Sequence, residues 1–166
     1  TPMTPDGAVD EDGVLAVAEH LLTHGHDGIV VNGTTGESAT LSADESIRVI
    51  ELVAAHVGER AVVVAGVGSN DTAHSVAMAR RAAGVGARGL LVVTPYYNKP
   101  TQPGLIAHFG AVADATDLPV LVYDIPGRTG IPIHTETLVR LAEHPRIRGV
   151  KDAKGDLWAA THVMAA

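Results

Sequence analysis

Residues 29–38 read Ile29-Val30-Val31-Asn32-Gly33-Thr34-Thr35-Gly36-Glu37-Ser38. The apolar run reads as a short strand, and the glycine-flanked stretch after it reads as the turn leading into a helix. That turn lacks the G-x-G-x-x-G spacing of a dinucleotide site and the G-K-[ST] of a P-loop, so neither phosphate-cradling geometry is encoded. Four further apolar runs follow: Val62 to Ala65, Leu90 to Val93, Val120 to Val122 and Ile147 to Val150, with starts about thirty residues apart. Uninterrupted Val, Ile and Leu, in place of strict alternation, is what strands covered on both faces require, and such strands belong to parallel sheets.

Helices fill the intervals. Asp10 to His24 begins with acidic residues, sets Val14, Val17, Ala18 and Leu21 on one stripe and stops at Gly25. Ser42 with Glu45 three residues later forms a capping box, and Ile50, Val53, Ala54 and Val57 follow at helical spacing until Gly58. Further helices are expected over 71–83, 103–116 and 135–144. The resulting βαβαβαβαβ order fits either a doubly wound open sheet or a (β/α)8 barrel. Polar and aromatic groups cluster after several different strands, as they do when the βα loops around one barrel mouth share a site. The expectation is therefore an α/β fold, a (β/α)8 TIM barrel of which this chain covers roughly the end of strand 1 to strand 6. A whole barrel of this type needs about 250 residues. The 166 residues accordingly read as one partial domain, 1–166, with Thr1-Pro2-Met3 as the exit of a first strand and the last two units absent.

Composition narrows the function. The chain is 46% apolar and 19% charged, with a formal net charge of −7 and only three lysines, Lys99, Lys151 and Lys154. A nucleic-acid or membrane-surface partner would need clustered Lys and Arg, so neither is expected. With no cysteine, thiolate metal sites, iron–sulfur clusters, disulfides and cysteine nucleophiles are excluded, which fits a reducing, cytoplasmic setting. The apolar runs are too short for a membrane helix, and the opening residues do not read as a signal peptide. The chain holds nine histidines, among them His20, His24 and His26. No H-E-x-x-H is present, and the three would lie far from a barrel's catalytic mouth, so no metal is expected.

Lys151 ends the last apolar run. It reads either as a solvated strand-end lysine paired with Asp152 or as an amine nucleophile kept dry at the interior end of a strand. An ordinary lysine, of pKa about 10.4, is almost wholly protonated at neutral pH, so imine chemistry needs burial or a nearby cation. Lys154 is a source of such charge, or else a loop lysine in solvent. All three tyrosines, Tyr96, Tyr97 and Tyr123, fall at C-terminal ends of strands, as packing residues or as phenols acting as acids. Thr34 and Thr35 sit in a loop whose amides and hydroxyls can approach a small anion, or form a plain turn. Arg128, in a rigidified loop past Tyr123, suits a carboxylate or else only solvent.

Taken together, GTTGES (33–38), TPYYNKP (94–100), YDIPGRTG (123–130) and GVKDAKGDL (149–157) closely resemble the pyruvate-dependent class I aldolase family that includes N-acetylneuraminate lyase. The likeness is strongest to the branch that condenses pyruvate with L-aspartate 4-semialdehyde in lysine biosynthesis. The resemblance implies that Lys151 forms a Schiff base with pyruvate and that Tyr123 is the acid/base phenol. Thr34 and Tyr97 would complete its proton relay, with Tyr97 supplied across a dimer interface. Thr35 would bind the pyruvate carboxylate and Arg128 that of the semialdehyde. Sugar-acid lyases of the family typically lack that arginine and often read GSTGE in the first motif. The resemblance further implies no cofactor and a homotetramer built from tight dimers. Of the family's lysine-binding allosteric pocket, Ser38, Ala39, Asn70 and Tyr96 match. Ala43, Ser46 and His74 depart from it, His74 standing where an acidic partner is usual, which implies weak lysine feedback. Other readings are a different pyruvate-dependent lyase, acting on N-acetylneuraminate or a 2-keto-3-deoxy sugar acid, and a non-catalytic truncated chain.

Overall fold

The computed structural model describes residues 1–166. Five parallel strands form one sheet: β1 (Gly28–Val31), β2 (Val62–Gly66), β3 (Gly89–Val93), β4 (Val120–Asp124) and β5 (Ile147–Asp152). Their order across the sheet is their order in the chain. The sheet thus winds one way throughout, without the reversal of strand order that defines a doubly wound fold. This is barrel winding.

The helices are α1 (Glu11–Thr23), α2 (Ala43–Val57), α3 (Thr72–Gly84), α4 (Gln102–Ala113), the single turn α5 (Pro126–Thr129), α6 (Thr135–Ala142) and α7 (Leu157–Ala165). Neighbours in the series α1, α2, α3, α4, α6, α7 touch in succession, so they follow one another around the sheet. The capping box at the start of α2 forms as the sequence predicts: Glu45 N–H donates to Ser42 Oγ at 3.2 Å, and Ser42 N–H donates to Glu45 Oε2 at 2.8 Å. Asp10, Asp71, Thr101 and Asp156 cap α1, α3, α4 and α7 through their side chains, each accepting amide protons that the first turn leaves unpaired.

The core is one cluster of 29 buried residues between sheet and helices. Phe109 and Leu105 of α4, Leu90 and Val92 of β3 and Val120 of β4 are fully buried in it. A Phe109→Ala cavity there would cost about 3–5 kcal/mol. β1 and β5 are the edges of the sheet. Burial alternates along β1, where Ile29 and Val31 are buried and Val30 is 47% exposed, and Val62 at the start of β2 is likewise 40% exposed.

Two local expectations change, and residues 1–3, read as the exit of a first strand, are held by contacts of their own. Ile125 to Gly130, read as a loop, contains α5: Pro126, without an N–H, suits its first position, and Gly130 at φ 84° ends it. Residues 1–3 do not pair with the sheet. Met3 bridges antiparallel to Val9, and Thr1 donates to the Gly36 carbonyl through its hydroxyl. Residues 157–165, to which the sequence reading assigned no helix, form α7 behind the Asp156 cap.

Candidate active site

Tyr123 and Lys151 are register partners on β4 and β5. The Lys151 Nζ lies over the Tyr123 ring, 4.1 Å from its centroid. Since both residues occupy equivalent positions on adjacent parallel strands, their side chains leave the sheet on the same face. Tyr123 is buried, and its backbone is held from the β3 side: Thr94, fully buried, donates to the Tyr123 carbonyl through its N–H at 2.9 Å and its hydroxyl at 3.0 Å. Lys151 is exposed. Of the two sequence readings, a solvated strand-end lysine or an amine kept dry, the exposure matches the first, on the last strand of the sheet.

A cavity of about 570 Å³ opens beside Tyr123. Its walls include Asn32 and Thr34 after β1, Gly66 at the end of β2 and Gly68 just past it, and Tyr123 and Arg128 at the end of β4 and in α5. Three expected site residues, Thr34, Tyr123 and Arg128, thus share one wall system, while Thr35, Tyr97 and Lys151 are outside the lining. Thr34 and Thr35 form a 3-10 turn, closed by Glu37 in the left-handed region at φ 57°. Tyr97 has φ 71° and is 88% exposed. The hydroxyls of Thr34, Tyr97 and Tyr123 are not hydrogen-bonded to one another.

Of the residues matched to an effector pocket, Ser38, Ala39, His74 and Tyr96 line the same cavity, as do Ala43 and Ser46. Asn70 is outside it and pairs with Asn98, whose Nδ2 donates to the Asn70 carbonyl at 2.8 Å. Asn32, at φ 59°, donates through Nδ2 to the Ser46 carbonyl at 2.9 Å, and its buried Oδ1 has no protein partner.

The sequence reading missed a charged cluster behind Tyr123. Asp124 is fully buried and, as the next residue on β4, points to the opposite face from Tyr123. Its Oδ2 accepts from the Ile133 N–H at 3.1 Å and lies 3.2 Å from Lys154 Nζ. The same ammonium is 3.7 Å from Asp152 Oδ2, and Asp152 is the register partner of Asp124. Burial pushes the Asp124 carboxyl above its ordinary range, against the lowering pull of the Ile133 amide and the Lys154 ammonium. Lys154 is therefore not a solvated loop lysine: its side chain is only 8% exposed. The available signal was an acid directly after a strand-end tyrosine, with one of only three lysines close past the other strand end.

Gly66 and Gly68 also went unread. A Cβ on Gly66 would collide with the Asn32 carbonyl oxygen, and one on Gly68 with the Val93 amide nitrogen. These strand exits approach too closely for any side chain. At the other end of the fold, His20 and His24 stack with ring centroids 4.0 Å apart, and His24 Nδ1 contacts the His20 carbonyl at 2.7 Å. No helix is long and apolar enough to cross a membrane.

A singly wound parallel sheet with a cavity at the carboxyl ends of its strands defines a β/α-barrel protein. Residues 1–166 match the Dihydrodipicolinate synthetase family throughout, and the chain belongs to that family. It is 61% identical over 165 residues to the 4-hydroxy-tetrahydrodipicolinate synthase of Kineococcus radiotolerans, covering 99% of this chain and 54% of that protein. Among solved structures it is similar to dihydrodipicolinate synthase DapA-2 from Bacillus anthracis, with a TM-score of 0.97 at 40% identity over 99% of this chain and 56% of that one. It is equally similar in fold to the chloride-inhibited dihydrodipicolinate synthase from Acinetobacter baumannii complexed with pyruvate, with a TM-score of 0.97 at 42% identity over 99% and 57%. The chain spans about half the length of the curated relatives it matches. The five strands are a continuous portion of the family's (β/α)8 barrel.

Proposed function

We propose that the protein condenses pyruvate with L-aspartate 4-semialdehyde to 4-hydroxy-tetrahydrodipicolinate, the synthase reaction of lysine and diaminopimelate biosynthesis. The observation that carries this reading is the Lys151 amine 4.1 Å from the Tyr123 ring centroid at paired strand ends. The pyruvate complex of the Acinetobacter baumannii relative supports the first substrate, and the synthase name of the Kineococcus radiotolerans relative supports the reaction.

The Lys151 amine adds to the pyruvate ketone and water leaves, giving a protonated imine. That cation is the electron sink: loss of a methyl proton yields an enamine, whose carbon attacks the semialdehyde aldehyde and forms the new C–C bond. The substrate's own amine then attacks the imine carbon, closing the ring and releasing Lys151. The chemistry needs no metal or organic cofactor. Tyr123 transfers the protons, relayed through Thr34 and through Tyr97 of a neighbouring copy. Tyr97's exposed ring on a strained loop suits that insertion. Thr35 takes the pyruvate carboxylate and Arg128 that of the semialdehyde, as a guanidinium at the cavity wall favours. The assembly is a homotetramer of tight dimers.

The test is substrate competition in the protein as its own gene encodes it. Turnover of pyruvate with aspartate semialdehyde, and not of N-acetylneuraminate or 2-keto-3-deoxygluconate, is expected. Preferential cleavage of either sugar acid would overturn the assignment.

A further inference from the structure

We propose that Lys154 is a positioning residue for the Tyr123–Lys151 pair, acting by holding together two carboxylates on the reverse side of the same strand ends. The inference rests on the imine reading of Lys151.

Asp124 and Asp152 are register partners on β4 and β5, one step beyond Tyr123 and Lys151, which are themselves register partners. Two carboxylates at that spacing repel, and the repulsion strengthens where Asp124 is shut away from water. The Lys154 ammonium sits against both, at 3.2 Å and 3.7 Å, with its side chain almost covered. It also reaches the Ile133 carbonyl at 3.4 Å, while the Ile133 N–H binds Asp124. Backbone bonds close the cluster: Ala153 N–H donates to the Asp124 carbonyl at 2.8 Å and Lys154 N–H to Asp152 Oδ1 at 2.8 Å. Three segments, the β4 end, the approach to α6 and the β5 end, are thereby tied at one cation.

The cluster bears on the chemistry because the strands are short and its members are adjacent to the reacting pair. Removing the cation leaves two uncompensated negative charges between β4 and β5. The relief available is to spread the strand ends, which separates the phenol from the amine on the other face. A misplacement of about 1 Å can cost on the order of 100-fold in rate. Removing a buried charge together with its partner is far milder than removing one alone, which makes the idea testable by a double-variant cycle.

The experiment follows borohydride trapping of [14C]pyruvate on the protein as its own gene encodes it, across pyruvate concentrations, for the parent, Lys154→Met, Asp124→Asn and the double variant. Lys154→Met is expected to lower the maximal trapping rate about 10- to 100-fold, with the half-saturating pyruvate concentration moved less than about threefold. The double variant is expected to return to within about threefold of Asp124→Asn. Lys154→Gln, which keeps a donor but no charge, gives the same comparison if the methionine variant does not fold. Parent-like trapping in both Lys154 variants overturns the inference. So does a loss that the Asp124→Asn change does not relieve, because that describes general damage. Failure of the parent to trap pyruvate at all would instead overturn the imine reading beneath it.

Discussion

The Lys151 Nζ stands 4.1 Å from the centroid of the Tyr123 ring, and the two residues are opposite one another on parallel strands. The ring face offers a cation favourable electrostatics, while the hydroxyl is the part that can move a proton. Tyr123→Phe separates these roles. The variant should keep its thermal midpoint, because the buried ring remains, and lose about 100- to 1,000-fold in kcat for the condensation. Unchanged kcat would remove Tyr123 from the chemistry.

Lysine should be a poor inhibitor. His74, Ala43 and Ser46 share the cavity wall with Ser38, Ala39 and Tyr96, and the one carboxylate of that lining, Glu37, is exposed, where water screens its pairing with a second ammonium. Initial rates should stay within about twofold of the uninhibited value at 1 mM lysine, a level at which a charge-paired ligand would be largely bound. Half-inhibition well below that concentration would show that another group supplies the pairing.

Gly66 tests how tightly the strand exits are packed. The collision of an added Cβ is with the Asn32 carbonyl, a backbone atom that cannot rotate away. Gly66→Ala should therefore lower stability by about 2–4 kcal/mol, measured by urea unfolding. A loss under about 0.5 kcal/mol, the scale of an ordinary surface change, would contradict the close approach.

His108 should make stability pH-dependent. It is buried on α4, its Nδ1 contacts Thr72 Oγ1 at 2.9 Å, and its Nε2 has no protein partner. Burial lowers its pKa below the ordinary 6.5. As pH falls through about 6.5, the unfolded chain takes up this proton before the folded one, so stability declines until the lower folded value is passed. His108→Gln should remove that component, and the gap between parent and variant thermal midpoints should change as pH falls from 7.5 into the acid range. Parallel curves would contradict it. Asp124, raised above 3.8, has the opposite sign: the folded chain holds its proton longer, so its contribution falls as pH rises from that value.

The five strands and the α2 capping box were legible because each depends on local chemistry: runs such as Leu90 to Val93 are buried on both faces, and Ser42 meets Glu45 within one helical turn. Tyr123 and Lys151 were legible as strand-end residues flanked by distinctive motifs. What escaped depends on partners distant in sequence. Nothing near Lys154 announces that its stem is covered and its charge shared by Asp124, 30 positions earlier. Gln102, just outside the helix expected over 103–116, drew no reading, yet its Oε1 accepts from His134 N–H and Thr137 Oγ1 while its Nε2 donates to the Pro132 carbonyl, joining α4 to α6. For Lys151 the run Ile147 to Val150 left a solvated and a dried amine both open, because the surroundings of a strand-end side chain are set by neighbouring strands that the run does not encode.

The central claim is that Lys151 is the imine-forming amine. It is tested most directly by borohydride reduction in the presence of pyruvate, followed by peptide mass mapping. The account predicts one reduced pyruvyl adduct, on the peptide carrying Lys151, and its disappearance in Lys151→Arg. An adduct on Lys99 or Lys154 instead, or undiminished condensation by Lys151→Arg, would contradict it.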